Sequence, residues 1–184
     1  MAPAGTPHTV PERIPANMDT TTDIDTRSGS VPVALLRITL GVILLVAFFD
    51  NLDKGLYGSD GLEGFIDYLF SEEGNDSSLG IYESFVDGAI VPLGGVYGVF
   101  QGVVELVIAV ALILGLATRA ASLVAAIFFA NLFLAYVGGE EWIWTYVLLF
   151  MSAVTVFLGY GGRKLGLDER LASRRGGSPY DLIW

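Results

Sequence analysis

The 184-residue chain has no cysteine, one histidine and only two lysines. Without cysteine there can be no disulfide, thiolate metal site, iron–sulfur cluster or dithiol redox chemistry carried by this chain. The single histidine, His8, stands in a polar N-terminal stretch. A haem held by two histidines is therefore excluded, and the expectation for bound metal is none. If the chain takes part in redox work, the electrons travel on another group. The two lysines, Lys54 and Lys164, belong to a total of ten Lys+Arg set against twenty Asp+Glu, a net charge of −10. Heavy acid with scarce lysine suits concentrated salt, where screening removes self-repulsion. The expectation is a halophilic microbe, an archaeon.

What the chain has in abundance is apolar residues, 53% against 16% charged. The charges gather in the two ends and in one loop, which is the pattern of a membrane protein with acidic aqueous parts. No feature points to nucleic acid. Residues 1–30 lack a hydrophobic period and read as a disordered cytoplasmic tail. Four apolar runs follow, at about 31–50, 94–117, 120–137 and 142–160. About 20 helical residues cross a hydrocarbon core of about 30 Å. The fold expected is all-α: a four-transmembrane-helix bundle over 31–162, followed by a basic cytoplasmic tail over 163–184.

The segment 51–93 is the largest aqueous loop. Leu62, Phe65, Ile66, Leu69 and Phe70 recur at helical spacing with Glu63 and Asp67 opposite. Ile81, Tyr82, Phe85 and Val86 repeat the pattern, so the loop should carry two short amphipathic helices. Between them, Asn75-Asp76-Ser77 is an N-glycosylation sequon if this side faces outward. The fourth run opens with Trp142, Trp144 and Tyr146, an interfacial aromatic belt. Placing both termini in the cytoplasm leaves only Lys54 among the positive residues outside, as the positive-inside rule requires. The expected location is a multi-pass cell membrane protein with 51–93 extracellular.

The second run, GGVYGVFQGVVELVIAVALILGLATR from Gly94 to Arg119, holds Gln101 and Glu105 four residues apart on one helical face. A carboxyl facing lipid costs several kcal/mol, so Glu105 should point into the bundle. It serves there either as a functional group or as a partner in an interhelical hydrogen bond. Gly94, Gly98 and Gly102 form a small-xxx-small ridge that admits a close neighbour. Arg37, about a turn inside the first run, should snorkel to the interface or find an acidic or phosphate partner. Asp50 and Lys54 form an i, i+4 pair in the favoured acid-first order. The short turn ending at Arg119 makes the second and third runs antiparallel neighbours.

Three stretches carry a family resemblance. They are the opening helix with Arg37 and Gly41 that ends in an Asp-Lys segment, the run GVVELVIAVALILGLATRAAS, and the terminal GYGGRKLGLD. Together they resemble the DoxX/DoxD family of four-helix membrane proteins, over about 31–168. The terminal piece lacks the family's usual Ser before Leu-Asp, and Phe48–Asp50 replaces a histidine-glycine often seen there. The resemblance implies a link to thiosulfate:quinone oxidoreductase, with Arg37, Lys54, Glu105 and Arg119 on motif positions. No cofactor is expected to be covalently bound, and a quinone is the one that the resemblance suggests.

Three functions follow. In the first, the chain is a quinone-linked oxidoreductase subunit. Glu105 and Gln101 bond the head group or accept its protons, and Arg37 or Lys54 attracts negative charge. In the second, it is a non-catalytic anchor of a larger complex, docking through the glycine ridge, with the acidic outer loop contacting an extracellular protein. In the third, it is a small-solute transporter with Glu105 as coupling site. Its partners are the bilayer and either another protein or further copies of itself.

Overall fold

A computed structural model describes residues 30–175, with side chains described through residue 171. The expected tail over 1–30 falls almost wholly outside that range, as do residues 176–184 of the basic tail. Among the described residues the fold is all-helical. Helix α1 spans Val31–Asp53, opened by Pro32 in its first turn and by Ser30, whose Oγ accepts the Val33 N–H at 3.4 Å. Its 23 residues make about 35 Å. Helix α2 (Ser59–Phe70) and helix α3 (Gly80–Phe85) follow in the acidic segment.

The chain does not leave α3 through a loop. A π turn (Val86–Ile90) and a 3-10 turn (Val91–Leu93) carry it directly into α4, Gly94–Leu114. Pro92 cannot donate to a helical ladder, and Gly94 sits at φ +48°, a conformation that suits glycine. Helix α4 stops at Gly115, which is left-handed at φ +65°. Helix α5 spans Thr118–Tyr136, and α6 spans Trp144–Leu158. Past a 3-10 turn at Gly161–Arg163, α7 (Leu167–Arg175) adds a helix within the basic tail.

Among the described residues, three helical stretches are long and apolar enough to cross a membrane: Val31–Asp53, Gly80–Leu114 and Thr118–Tyr136. The expected fourth span is shorter than its apolar run. Helix α6 has 15 residues, about 22 Å, because Trp142 and Ile143 precede it and Gly159 with left-handed Tyr160 ends it. The belt is also smaller than expected. Trp142 and Trp144 are exposed, but Tyr146 turns inward and stacks on Tyr136 at 4.8 Å.

The helices pair α1 with α4 and α5 with α6, and the two pairs meet over smaller areas. The short α4–α5 turn does make these helices sequential neighbours, yet each packs mainly on another partner. Gly41 is where α1 meets α4: a Cβ there would lie 2.8 Å from Ile113 Cγ1 and 2.9 Å from the Ala109 carbonyl. One core (Leu40, Leu44, Ile108, Leu112, Ala125, Phe129) fills the bundle, and a second (Leu62, Leu69, Tyr82, Val86, Ile90, Tyr136) lies under α2 and α3. In α2 the apolar face is inward and Glu63 and Asp67 are outside, as the spacing predicts. In α3 only part of the expected face is used: Tyr82 is buried, but Ile81 is 84% exposed.

Candidate functional site

Glu105 faces the interior, at 1% exposure, while Val96, Val99, Phe100, Val103 and Val107 of the same helix point outward. Its Oε2 accepts a hydrogen bond from the Tyr57 hydroxyl at 2.7 Å and a longer one from Asn51 Nδ2 at 3.4 Å. Its Oε1 is buried with no protein partner. Tyr57 belongs to the turn between α1 and α2. Burial, and then the bond to Glu105, push its phenol above the ordinary value, so it stays a donor.

The glycine ridge explains how Tyr57 gets there. A Cβ on Gly98 would lie 2.6 Å from the Tyr57 carbonyl oxygen, and one on Gly102 would lie 3.0 Å from its ring. The ridge is therefore occupied from within the chain, by a turn and an aromatic ring rather than by another helix. Gly94 takes no part, since a Cβ there meets nothing within 4 Å. Phe48 closes the other face of the ring, stacked at 5.5 Å.

Glu105, Gln101 and Asn51 line a cavity of about 250 Å³ between the helix pairs, beneath α2 and α3. Its remaining walls are mostly apolar and aromatic, among them Leu44, Phe129, Tyr97 and Tyr146. Asn131 supplies a second polar point; its Oδ1 accepts the Tyr82 hydroxyl at 3.1 Å, which leaves the amide N–H groups as donors. The cavity thus offers amide donors at Gln101 and Asn131 and the Glu105 carboxyl among apolar and aromatic walls. Among the described residues, no three His, Cys, Asp or Glu side chains are grouped to hold a metal ion.

The other proposed residues are not brought to this cavity. Arg37 is fully buried rather than snorkelling, and its Nη2 donates to the Leu165 carbonyl at 2.9 Å. Gly115 and Gly166 flank its guanidinium so closely that a Cβ on either would collide with it. Gly115 is ten residues beyond Glu105 on α4, about 15 Å, so the two charged side chains do not meet. Asp50 and Lys54 pair with each other at 2.6 Å on the exposed end of α1. The Arg119 guanidinium lies over Phe157 at 4.8 Å and Tyr160 at 4.9 Å.

Asn75 is 1% exposed, and its amide is engaged on both sides: Nδ2 donates to Ser77 Oγ at 2.8 Å, and Oδ1 accepts the Glu141 N–H at 3.2 Å. In the folded chain it joins two loops and leaves no room for a glycan. Asp168, which the sequence marks only as part of a motif, is wholly buried. Its carboxylate accepts the N–H groups of Ala117 at 2.8 Å and Thr118 at 2.9 Å, capping α5. Its own N–H returns to the Gly115 carbonyl at 2.9 Å. Nothing in the sequence marks Tyr57 and Asn51 as site residues, because a turn tyrosine and an asparagine between two aspartates resemble ordinary interfacial sequence.

No curated protein and no solved structure matches the chain. The DoxX family profile matches residues 33–138, which takes in α1 through α5 and every residue lining the cavity except Tyr146 and Leu149 of α6. The match stops short of the terminal Gly-rich piece, and it does not single out the DoxD or thiosulfate:quinone branch. It covers more than half of the chain, and with an all-helical bundle of long apolar helices it makes this protein a multi-pass membrane member of the DoxX family.

Proposed function

We propose that this chain is the membrane subunit of a quinone-linked oxidoreductase system, with the cavity as the seat of a quinone head group. The observation that carries the reading is Glu105, a buried carboxyl with one oxygen bonded to Tyr57 and Asn51 and the other unpartnered beside the cavity. Ionisable groups inside a membrane are costly and are kept for pathways and relays. The lining fits the group: apolar and aromatic walls suit a ring, and the Gln101 and Asn131 amides can donate to its carbonyl oxygens. At about 250 Å³ the space suits a head group and not an entire isoprenoid quinone.

A quinone, when bound, supplies two-electron redox chemistry that needs protons. Glu105 would hold and move them at Oε1, and Asn131 and Gln101 would orient the ring between the aromatic walls. The electrons come from a partner subunit or a soluble donor; the family resemblance points to a reduced sulfur compound such as thiosulfate. On this reading α6 is the fourth span, the end bearing Arg119, Arg163 and Lys164 is cytoplasmic, and the acidic segment faces outward. For an anchoring role, Gly98 and Gly102 are not a free docking surface, because Tyr57 occupies them.

Titrating the full chain in lipid nanodiscs with a short-chain benzoquinone analogue tests this. Saturable binding is expected, weakened about ten-fold or more by Glu105→Gln and unaffected by Lys54→Ala. Absence of saturable binding in the unaltered protein would overturn the assignment.

A further inference from the structure

We propose that the cavity is loaded sideways from the bilayer, through the seam between α1 and α6 at Ile43 and Ala47, and that a lipid-dissolved quinone keeps its isoprenoid tail in that seam. The inference rests on the reading of the cavity as a quinone head-group site. It adds the class of quinone and the way in.

The walls of the cavity are unequal. Leu62, Leu69, Tyr82 and Val86, all buried, roof it under α2 and α3. Large, half-buried side chains wall it between α4 and α5, Tyr97 and Gln101 from one helix and Phe128 and Asn131 from the other. Among the described residues that line it, Ile43 is the one on the exposed surface, at 40%. Ile43 lies near the middle of Val31–Asp53, so the medium outside it is hydrocarbon rather than water. Ile43, Ala47 and Asn51 are spaced by four on a single stripe of α1, and all three line the cavity. The stripe starts at the outside of the bundle and ends at Asn51, whose Nδ2 reaches Glu105 Oε2 at 3.4 Å.

The facing wall comes from α6. Val33, at the start of α1, packs just past the end of α6, where a Cβ on Gly159 would lie 3.0 Å from Val33 Cγ1. The two helices run in opposite directions. About ten residues along α1 from Val33, and about ten back from Gly159, Ile43 and Leu149 stand level, roughly 15 Å further into the bilayer. Leu149 lines the cavity too, and with Ile43 and Ala47 it makes an apolar seam in which Ala47 contributes a single methyl. A space of about 250 Å³ takes a ring and not the chain attached to it, so the chain must leave. This seam is an apolar exit that meets lipid. Because lipid tails are as apolar as the seam, the chain gains little free energy by lying there. The seam therefore acts as a passage, and affinity comes from the ring.

The test uses the full chain in lipid nanodiscs and a benzoquinone with a decyl chain that carries a diazirine near the ring. Irradiation should label Ile43, Ala47 or Leu149, and excess short-chain analogue should abolish the labelling. Displaceable labelling confined to α4 and α5 sends the tail through the other seam and overturns the side entry, leaving the quinone site in place. So does the absence of displaceable labelling when the short-chain analogue still binds saturably; if that binding is absent as well, the quinone assignment falls with it. A variant gives the second reading. Ile43→Trp should narrow the mouth and weaken the decyl analogue about ten-fold, with the short-chain analogue held within about three-fold. Val46→Trp, on the lipid-facing side of the same helix, should change neither. Unaltered decyl binding in Ile43→Trp, or equal weakening of both analogues, overturns the proposal, and the labelling of the unaltered chain decides if the variant does not fold.

Discussion

Single residues here hold distant parts of the chain together, and their partners decide what they do. Glu105 reads as an inward-facing carboxyl from its place in an apolar run, because no other placement is tolerated in lipid. Its donor cannot be read so, since Tyr57 lies 48 positions away in a turn whose course depends on Gly98 and Gly102. Arg37 is a sharper case. Its position in the sequence points to the interface, yet its partner carbonyl is 128 positions on, in a strap that only the finished fold brings back. The same strap makes a prediction at Gly115. Alanine there costs about 1–2 kcal/mol for the left-handed backbone alone, and its Cβ would also displace the Arg37 guanidinium. Gly115→Ala should therefore lower stability by about 2–4 kcal/mol. Thermal unfolding in detergent would show it, and a change below about 0.5 kcal/mol would mean that Arg37 is not held there.

Among whole elements, the apolar period locates α1, α4 and α5 well, because each is a long run closed by an identifiable break. It places α6 too generously: apolar residues at 142, 143 and 160 count toward hydropathy but lie outside the helix. The segment joining α3 to α4 reads as aqueous in the sequence, because hydropathy says nothing of a π turn passing into a 3-10 turn. Glycine substitutions separate crowded positions from open ones. A Cβ on Gly64 in α2 would meet nothing within 4 Å, so Gly64→Ala should stabilise by about 0.4–1 kcal/mol. Gly98→Ala should destabilise by about 1–3 kcal/mol as it presses on the Tyr57 backbone. Equal effects of the two in chemical denaturation would contradict the Tyr57 seat. Whether α6 crosses the bilayer can be settled by single-cysteine labelling, for which the chain offers a clean background. Trp142→Cys and Lys164→Cys should react with an impermeant maleimide from opposite faces of sealed vesicles. Reaction from one face would make α6 a re-entrant or interfacial helix.

For the molecule as a whole, the decisive feature is how charge is distributed. Asn75 bonds the loop after α2 to Glu140 and Glu141, so those two acids share an end with the acidic residues from Asp50 to Asp87. Glu63, Asp67, Glu72, Glu73, Glu83 and Asp87 are all exposed there, and Lys54, the cation of that segment, is paired with Asp50. Arg163, Lys164 and Arg170 lie with α7 at the opposite end. Repulsion within the acidic end is long-ranged at low ionic strength, where the Debye length is about 10 Å at 0.1 M, and short-ranged at 1 M, where it is about 3 Å. Screening should therefore favour the cap formed by α2 and α3 more than the apolar bundle beneath it, which carries few charges to screen. Between 0.1 and 2 M KCl the melting temperature should rise by roughly 3–8 °C, about 1–2 kcal/mol for a chain of this size. KCl is a weak excluder, whereas an uncharged osmolyte such as sucrose stabilises by exclusion and not by screening, so its effect should be the same with or without the acidic side chains. Replacing Glu63, Asp67, Glu72 and Glu73 by their amides should remove much of it, since those side chains are the source of the repulsion. A melting temperature that stays flat with salt, or a rise that survives the amide substitutions, would show that the acidic end is not held under electrostatic strain.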